Sequence, residues 1–187
     1  MNKPTLKEVF TIPNIIGYIR MALIPVFMYI YITADSMRDY YIAAIIVLLS
    51  TFSDLFDGMI ARKINQVTEL GKFLDPLADK LSHGALIICL VTRYKLMWML
   101  LAIFIVKEGF MGIMGIYMLH HNGKKLDGAK WFGKVCTAVL FLSMFALFLV
   151  PDMKMAYVNG IIIFCAVVMV ITLILYIPEF VKLYKEQ

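Results

Sequence analysis

The sequence predicts an all-α integral membrane protein, with six transmembrane helices behind a short N-terminal interfacial helix. Three observations predict it. Of the 187 residues, 62% are hydrophobic, against about half in a soluble domain; a single globular core of this length cannot bury such an excess. The apolar residues are gathered into six long runs, each close to the roughly 20 residues a helix needs to cross the hydrocarbon layer. These runs are too long for strands and lack strict alternation, and a helix satisfies its own backbone polar groups inside lipid.

Residues 1–12 (MNKPTLKEVFTI) intersperse Leu6, Val9, Phe10 and Ile12 with Lys3, Lys7 and Glu8. That mixture suits a short helix lying on the membrane surface. Residues 13–187 form the membrane domain. Its spans are expected near 14–34, 40–61, 73–92, 96–119, 132–150 and 156–177. The breaks between them are TADSMRD, KINQVTEL, TRYK, HHNGKKLDG and PDMK. Pro25 falls inside the first span, where a proline removes a helical hydrogen bond and favours a kink.

Basic residues set the orientation. With the N-terminus inside, the inner segments hold Lys3, Lys7, Arg62, Lys63, Lys72, Lys124, Lys125, Lys130, Lys134, Lys182 and Lys185. The outer loops hold only Arg38, Arg93, Lys95 and Lys154. The asymmetry places both termini in the cytoplasm. Trp98 and Trp131 fall near span ends, where aromatic belts form. The net charge of +5 is spread between apolar runs and not gathered in one patch, so it fits a membrane surface and not nucleic acid. Cys89, Cys136 and Cys165 lie far apart in apolar runs, without metal or redox spacing, and read as packing residues.

Four carboxylates break the apolar pattern. Asp54 and Asp57 fall in the cytoplasmic half of span two, and Asp75 and Asp79 in the cytoplasmic half of span three. The connection is short, so both pairs lie at one depth on adjacent antiparallel helices. Asp54 and Asp57 are spaced i,i+3, and Asp75 and Asp79 i,i+4, so each pair shares a helix face. One acidic group at mid-bilayer costs about 2.5–3.5 kcal/mol on insertion scales. Four converging carboxylates would also repel one another. A divalent cation is the simplest stabilising partner, and all-oxygen ligands favour Mg²⁺, Mn²⁺ or Ca²⁺ over zinc or copper. Mg²⁺ commonly completes its shell with substrate phosphates, which points to a phosphorylated substrate. Gly58, Ala61 and Gly71 lie beside the carboxylates; small side chains there admit a base or phosphate close to the backbone, or simply allow close helix packing.

These residues form a known pattern. Asp54, Asp57, Gly58, Ala61, Arg62, Gly71, Asp75 and Asp79 fill every fixed position of D-x2-D-G-x2-A-R-x8-G-x3-D-x3-D, and so resemble the CDP-alcohol phosphotransferase signature. The resemblance implies a six-helix membrane enzyme, usually a homodimer, with its active site open to the cytoplasmic leaflet of the cell membrane. It implies metal binding by Asp54, Asp57, Asp75 and Asp79, with Asp79 also as general base. It places Gly58, Ala61, Arg62 and Gly71, together with Asp54 and Asp75, around the CDP group. The implied cofactor is Mg²⁺ or Mn²⁺, and the implied donor is CDP-diacylglycerol.

Within that family the chain is most similar to the bacterial phosphatidylglycerophosphate synthase group. Ile12-Pro13-Asn14, Arg20, Leu23-Ile24-Pro25 and the stretch from Gly71 to Lys80 carry this likeness. It implies glycerol 3-phosphate as acceptor, for which Arg20, Lys72, Lys107 and Lys134 are candidate phosphate-binding residues. Two positions depart from the group. Lys107-Glu108 stands in place of Arg-Glu, and a lysine cannot grip a phosphate bidentately as an arginine does. Gly133-Lys134-Val135-Cys136-Thr137 lacks a second lysine. A cardiolipin synthase of the same family, accepting phosphatidylglycerol, is therefore the alternative.

Two other classes use intramembrane carboxylates. A membrane prenyltransferase would need a second Asp cluster outside residues 54–79, and the sequence has none. A cation transporter would show broken helices or internal repeats, and neither is evident. His83, one turn after Asp79, is read as a hydrogen-bonded packing residue near the site, and His120 and His121 as solvated.

Overall fold

Six α-helices make up the regular structure of the described residues, which in this computed structural model are 11–63, 69–122, 128 and 130–185. Side chains are described for these except at 12, 13, 54–63, 69, 70, 72, 73 and 122. The helices are α1 (Ile12–Ile32), α2 (Met37–Lys63), α3 (Glu69–Val91), α4 (Met97–Asn122), α5 (Trp131–Leu149) and α6 (Met155–Lys185). They coincide in number and order with the six expected spans. α1, α4, α5 and α6 are long and apolar enough to cross a membrane, so the chain is a multi-pass membrane protein. α2 and α3 are of similar length but carry the charged motif. The expected interfacial helix falls, up to residue 10, outside the described residues.

The chain divides into two units, Met1–Cys89 and Leu90–Gln187. In the first, α1 packs on α2 across a four-residue connection. The buried side of α1 is the stripe Asn14, Gly17, Arg20, Ile24, Phe27 and Tyr31, which recurs with helical period. Ala43, Ala44 and Val47 form the buried stripe of α2; the two alanines let helices approach closely. The Tyr31 ring meets Tyr40 edge to face at 5.1 Å. The Asp39 carboxylate caps the start of α2. Ser36 donates its backbone N–H (3.0 Å) and its hydroxyl (2.8 Å) to Asp39, satisfying a donor that the first turn leaves open.

In the second unit, α6 packs against both α4 and α5. Met118, Tyr176 and Phe180 form a buried cluster, joined by Phe110, Phe132 and Leu183. Phe110–Phe180 and Phe132–Tyr176 meet edge to face at 5.8 and 4.8 Å. α6 runs to Lys185, eight residues past the expected end of the last span. The cause lies in its polar end. Glu179 pairs with Lys130 at 2.9 Å, while Phe180 is buried, so the helix continues for about two amphipathic turns through Pro178. At the other end, Arg93 Nη2 and Tyr94 Oη donate to the Pro151 carbonyl at 3.3 and 3.2 Å. This ties the α3–α4 connection to the α5–α6 connection.

The three cysteines are free and buried, as the sequence predicts. Trp98 and Trp131 are exposed, consistent with belt positions. Hydroxyls within the apolar helices bond back to the preceding turn: Thr51 to Val47 at 2.9 Å and Thr172 to Val168 at 2.8 Å. Such bonds satisfy the hydroxyl where water is excluded.

Gly133 is fixed by packing. A Cβ at this position would run into the Tyr176 hydroxyl and stand 3.1 Å from the ring carbon that bears it. Tyr176 is buried between Phe132 and Phe180, so its ring cannot swing clear. Gly133→Ala is expected to destabilise the protein by about 1–3 kcal/mol, the usual cost of overpacking. Thermal unfolding in detergent checks this. The loss should be smaller in a Tyr176→Phe background, because the clashing oxygen is then gone; an equal loss in both backgrounds would contradict the packing account.

Candidate active site

The motif spans the end of α2 and the start of α3. Asp54, Asp57, Gly58, Ala61 and Arg62 all lie on the helical backbone of α2, and Gly71, Lys72, Asp75 and Asp79 on that of α3. The expected i,i+3 and i,i+4 spacings are therefore helical spacings, and each Asp pair lies on one face of its helix. The side chains of Asp54, Asp57, Ala61, Arg62 and Lys72 lie outside the described residues, so the convergence of the four carboxylates remains a sequence expectation. Gly71 is half-buried.

Asp75 is exposed and Asp79 half-buried. Asp75 lies within electrostatic reach of both Asp79 and Arg20. The sharpest contact joins α3 to α1: Arg20 Nη2 donates to Asp79 Oδ1 at 2.8 Å. The two ends of this pair differ. The arginine side chain is 3% exposed and the aspartate side chain 47%. One turn further along α3, His83 Nδ1 is 2.6 Å from the Asp79 carbonyl oxygen; as that oxygen only accepts, Nδ1 carries the proton and donates. His83 is thus a hydrogen-bonded neighbour of the site, as its position in the sequence suggests.

The described carboxylates suit a hard divalent cation. Asp75 and Asp79 offer oxygen only, and both are open to solvent although one oxygen of Asp79 is engaged by Arg20. Among the described residues, no group of three or more His, Cys, Asp or Glu side chains is gathered for a metal; Asp54 and Asp57 are not among the side chains described.

The remaining acceptor candidates belong to the second unit. Lys107 is buried within α4 at 7% exposure, and its Nζ is 2.5 Å from Glu108 Oε1. Sequence reading noted Glu108 only as the neighbour of Lys107. The structure makes it the counter-charge that allows a lysine to be buried there. Lys134 is exposed near the start of α5. Its neighbours Gly133 and Thr137 serve the helix: Gly133 receives Tyr176, and Thr137 donates its hydroxyl to the Gly133 carbonyl at 3.1 Å. Nothing in the sequence pattern signals Tyr176, which meets Gly133 only through packing.

A multi-pass helical membrane protein with a D-x2-D-G-x2-A-R…G-x3-D-x3-D motif on consecutive helices defines a class of lipid-modifying transferase. Residues 10–175 match the CDP-alcohol phosphatidyltransferase family, and the chain belongs to it. Among its relatives is the CDP-diacylglycerol--glycerol-3-phosphate 3-phosphatidyltransferase of Shigella flexneri serotype 5b (strain 8401). It is 29% identical over 162 residues, which cover 86% of this chain and 88% of that protein. The protein of the same description from Escherichia coli (strain K12) is 28% identical over the same shares of the two chains.

The Lys107–Glu108 pair has a stability signature. Glu108→Gln would leave a buried ammonium without its counter-charge and is expected to cost about 3 kcal/mol. Adding Lys107→Met should restore much of that loss. Thermal unfolding of the single and double variants in detergent measures the coupling; strictly additive losses would contradict a direct pair.

Proposed function

We propose that the protein transfers a phosphatidyl group from CDP-diacylglycerol to glycerol 3-phosphate, releasing CMP and forming phosphatidylglycerophosphate. The observation that carries this reading is the complete eight-position motif on α2 and α3, in a chain of the CDP-alcohol phosphatidyltransferase family. The names of its relatives support the donor and the acceptor.

The chemistry follows from the residues. Asp54, Asp57, Asp75 and Asp79 would hold Mg²⁺ or Mn²⁺ through carboxylate oxygens. When bound, the cation supplies charge neutralisation at the diphosphate and at the departing CMP. Gly58, Ala61 and Gly71 let the nucleotide approach the helix backbones, and Arg62 offers positive charge to its phosphates. The acceptor hydroxyl attacks the lipid-side phosphorus. A new oxygen–phosphorus bond forms, the bond to the CMP oxygen breaks, and Asp79 takes the hydroxyl proton. In-line positioning and charge stabilisation do most of the work in such transfers.

Lys72 and Lys134 are the candidate positive charges for an acceptor phosphate, while Lys107 is paired with Glu108 within α4. All six helices cross the membrane in this reading, with residues 1–12 on its surface, both termini in the cytoplasm and the active site on the cytoplasmic leaflet. The enzyme acts as a homodimer, as the family resemblance implies.

The test is CMP release by purified protein from CDP-diacylglycerol with Mg²⁺, across glycerol 3-phosphate, phosphatidylglycerol, serine and inositol phosphate. Release with glycerol 3-phosphate, abolished by EDTA, is expected. Release with phosphatidylglycerol alone would favour the cardiolipin synthase reading, which the lysine at position 107 in place of arginine makes the natural alternative. Asp57→Asn and Asp75→Asn should each abolish turnover while the protein stays folded in detergent; near-wild-type turnover in either would overturn the site assignment.

A further inference from the structure

We propose that Arg20 is a positioning residue for Asp79: it fixes the carboxylate that takes the acceptor's proton and does not itself grip the acceptor. This inference rests on the role of Asp79 in the reaction proposed above.

Burial carries the argument first. The guanidinium end of the pair is 3% exposed and the carboxylate end 47%. A substrate arriving from outside therefore meets Asp79, with Arg20 behind it. Arg20 belongs to the buried stripe of α1, between Asn14 and Gly17 on one side and Ile24 and Phe27 on the other. To reach an acceptor phosphate it would have to leave this packing. It would also have to break a charge-assisted bond of 2.8 Å, whose arginine end is buried.

The second support is how Asp79 is held. Its carboxylate receives Arg20 through Oδ1, while His83 Nδ1 bonds only its backbone carbonyl. With Oδ1 taken, Oδ2 is the Asp79 oxygen left for the reaction. A proton acceptor must lie within hydrogen-bond reach of the proton it takes, and a side chain on a helix holds that position only when its rotamer is pinned. Arg20 does the pinning from a different helix, so the geometry of the base depends on how α1 and α3 are joined. Lysine would keep the charge but not the planar, pre-organised donor set.

The experiment compares wild type, Arg20→Lys and Arg20→Gln in the CMP-release assay, varying glycerol 3-phosphate and CDP-diacylglycerol in turn. Misplacement of a reacting group by about 1 Å costs on the order of a hundredfold. Arg20→Gln should therefore lose about a hundredfold in kcat, with both KM values within about twofold of wild type. Arg20→Lys should fall between the two. Arg20→Lys also keeps the buried charge compensated, so it carries the test if Arg20→Gln does not fold. A rise of about tenfold in the KM for glycerol 3-phosphate at unchanged kcat would overturn the proposal and make Arg20 an acceptor ligand. Wild-type kcat in the folded variants would overturn it as well. Absence of CMP release by the wild-type protein itself would overturn the proposed reaction and this role with it, so the two failures are told apart by the wild-type control.

Discussion

A charge inside an apolar helix array must be matched nearby, because the surrounding medium cannot solvate it. The Arg20–Asp79 bond, 2.8 Å long, is where this constraint shapes the protein most. It holds α3 against α1 at the level of the motif, with the positive end sealed inside and the negative end facing outward. The same constraint recurs in α4, where Lys107 is buried against Glu108. In weaker form it explains why Thr51, Thr137 and Thr172 turn their hydroxyls back onto their own helices. These described polar groups are matched within and between the helices.

In the proposed reaction the carboxylates are the group that the helices leave for metal and substrate. Asp75 is exposed and Asp79 half-exposed, and the motif places Asp54 and Asp57 at the same end of the preceding helix. In the proposed reaction such a collection is unfavourable until a divalent cation offsets its charge, and the cation in turn attracts the anionic diphosphate of the donor. The lipid-facing exterior needs no comparable precision. α1, α4, α5 and α6 expose Ile, Val and Leu along much of their length, which suits a hydrocarbon environment.

The helices were legible because the apolar runs and the short polar breaks between them are unambiguous, and the structure moves most boundaries by only a few residues. The exception is α6, whose last turns past Pro178 are amphipathic; a span defined by hydropathy stops before Phe180 and Lys185 although the helix does not. The motif was legible because its spacing is helical and its residues are acidic in an apolar setting. The partner of Asp79 was not. Arg20 lies 59 residues away in sequence, and its long side chain could have reached toward the membrane surface as easily as toward another helix. Only the rotational setting of α1, fixed by Asn14, Phe27 and Tyr31 on the same buried stripe, turns it inward. Gly133 and Tyr176 were hidden for a related reason: close approach between helices depends on three-dimensional register, which periodicity alone does not reveal.

The claim at the centre of this account is that the carboxylates of α2 and α3 act as one metal site. The most direct test is Mn²⁺ binding to the purified protein, followed by electron paramagnetic resonance in the presence of CDP. The account predicts saturable binding by wild type, lost in Asp57→Asn on α2 and in Asp75→Asn on α3, while both variants keep wild-type thermal unfolding. Undiminished Mn²⁺ binding in either folded variant would contradict a site shared between the two helices.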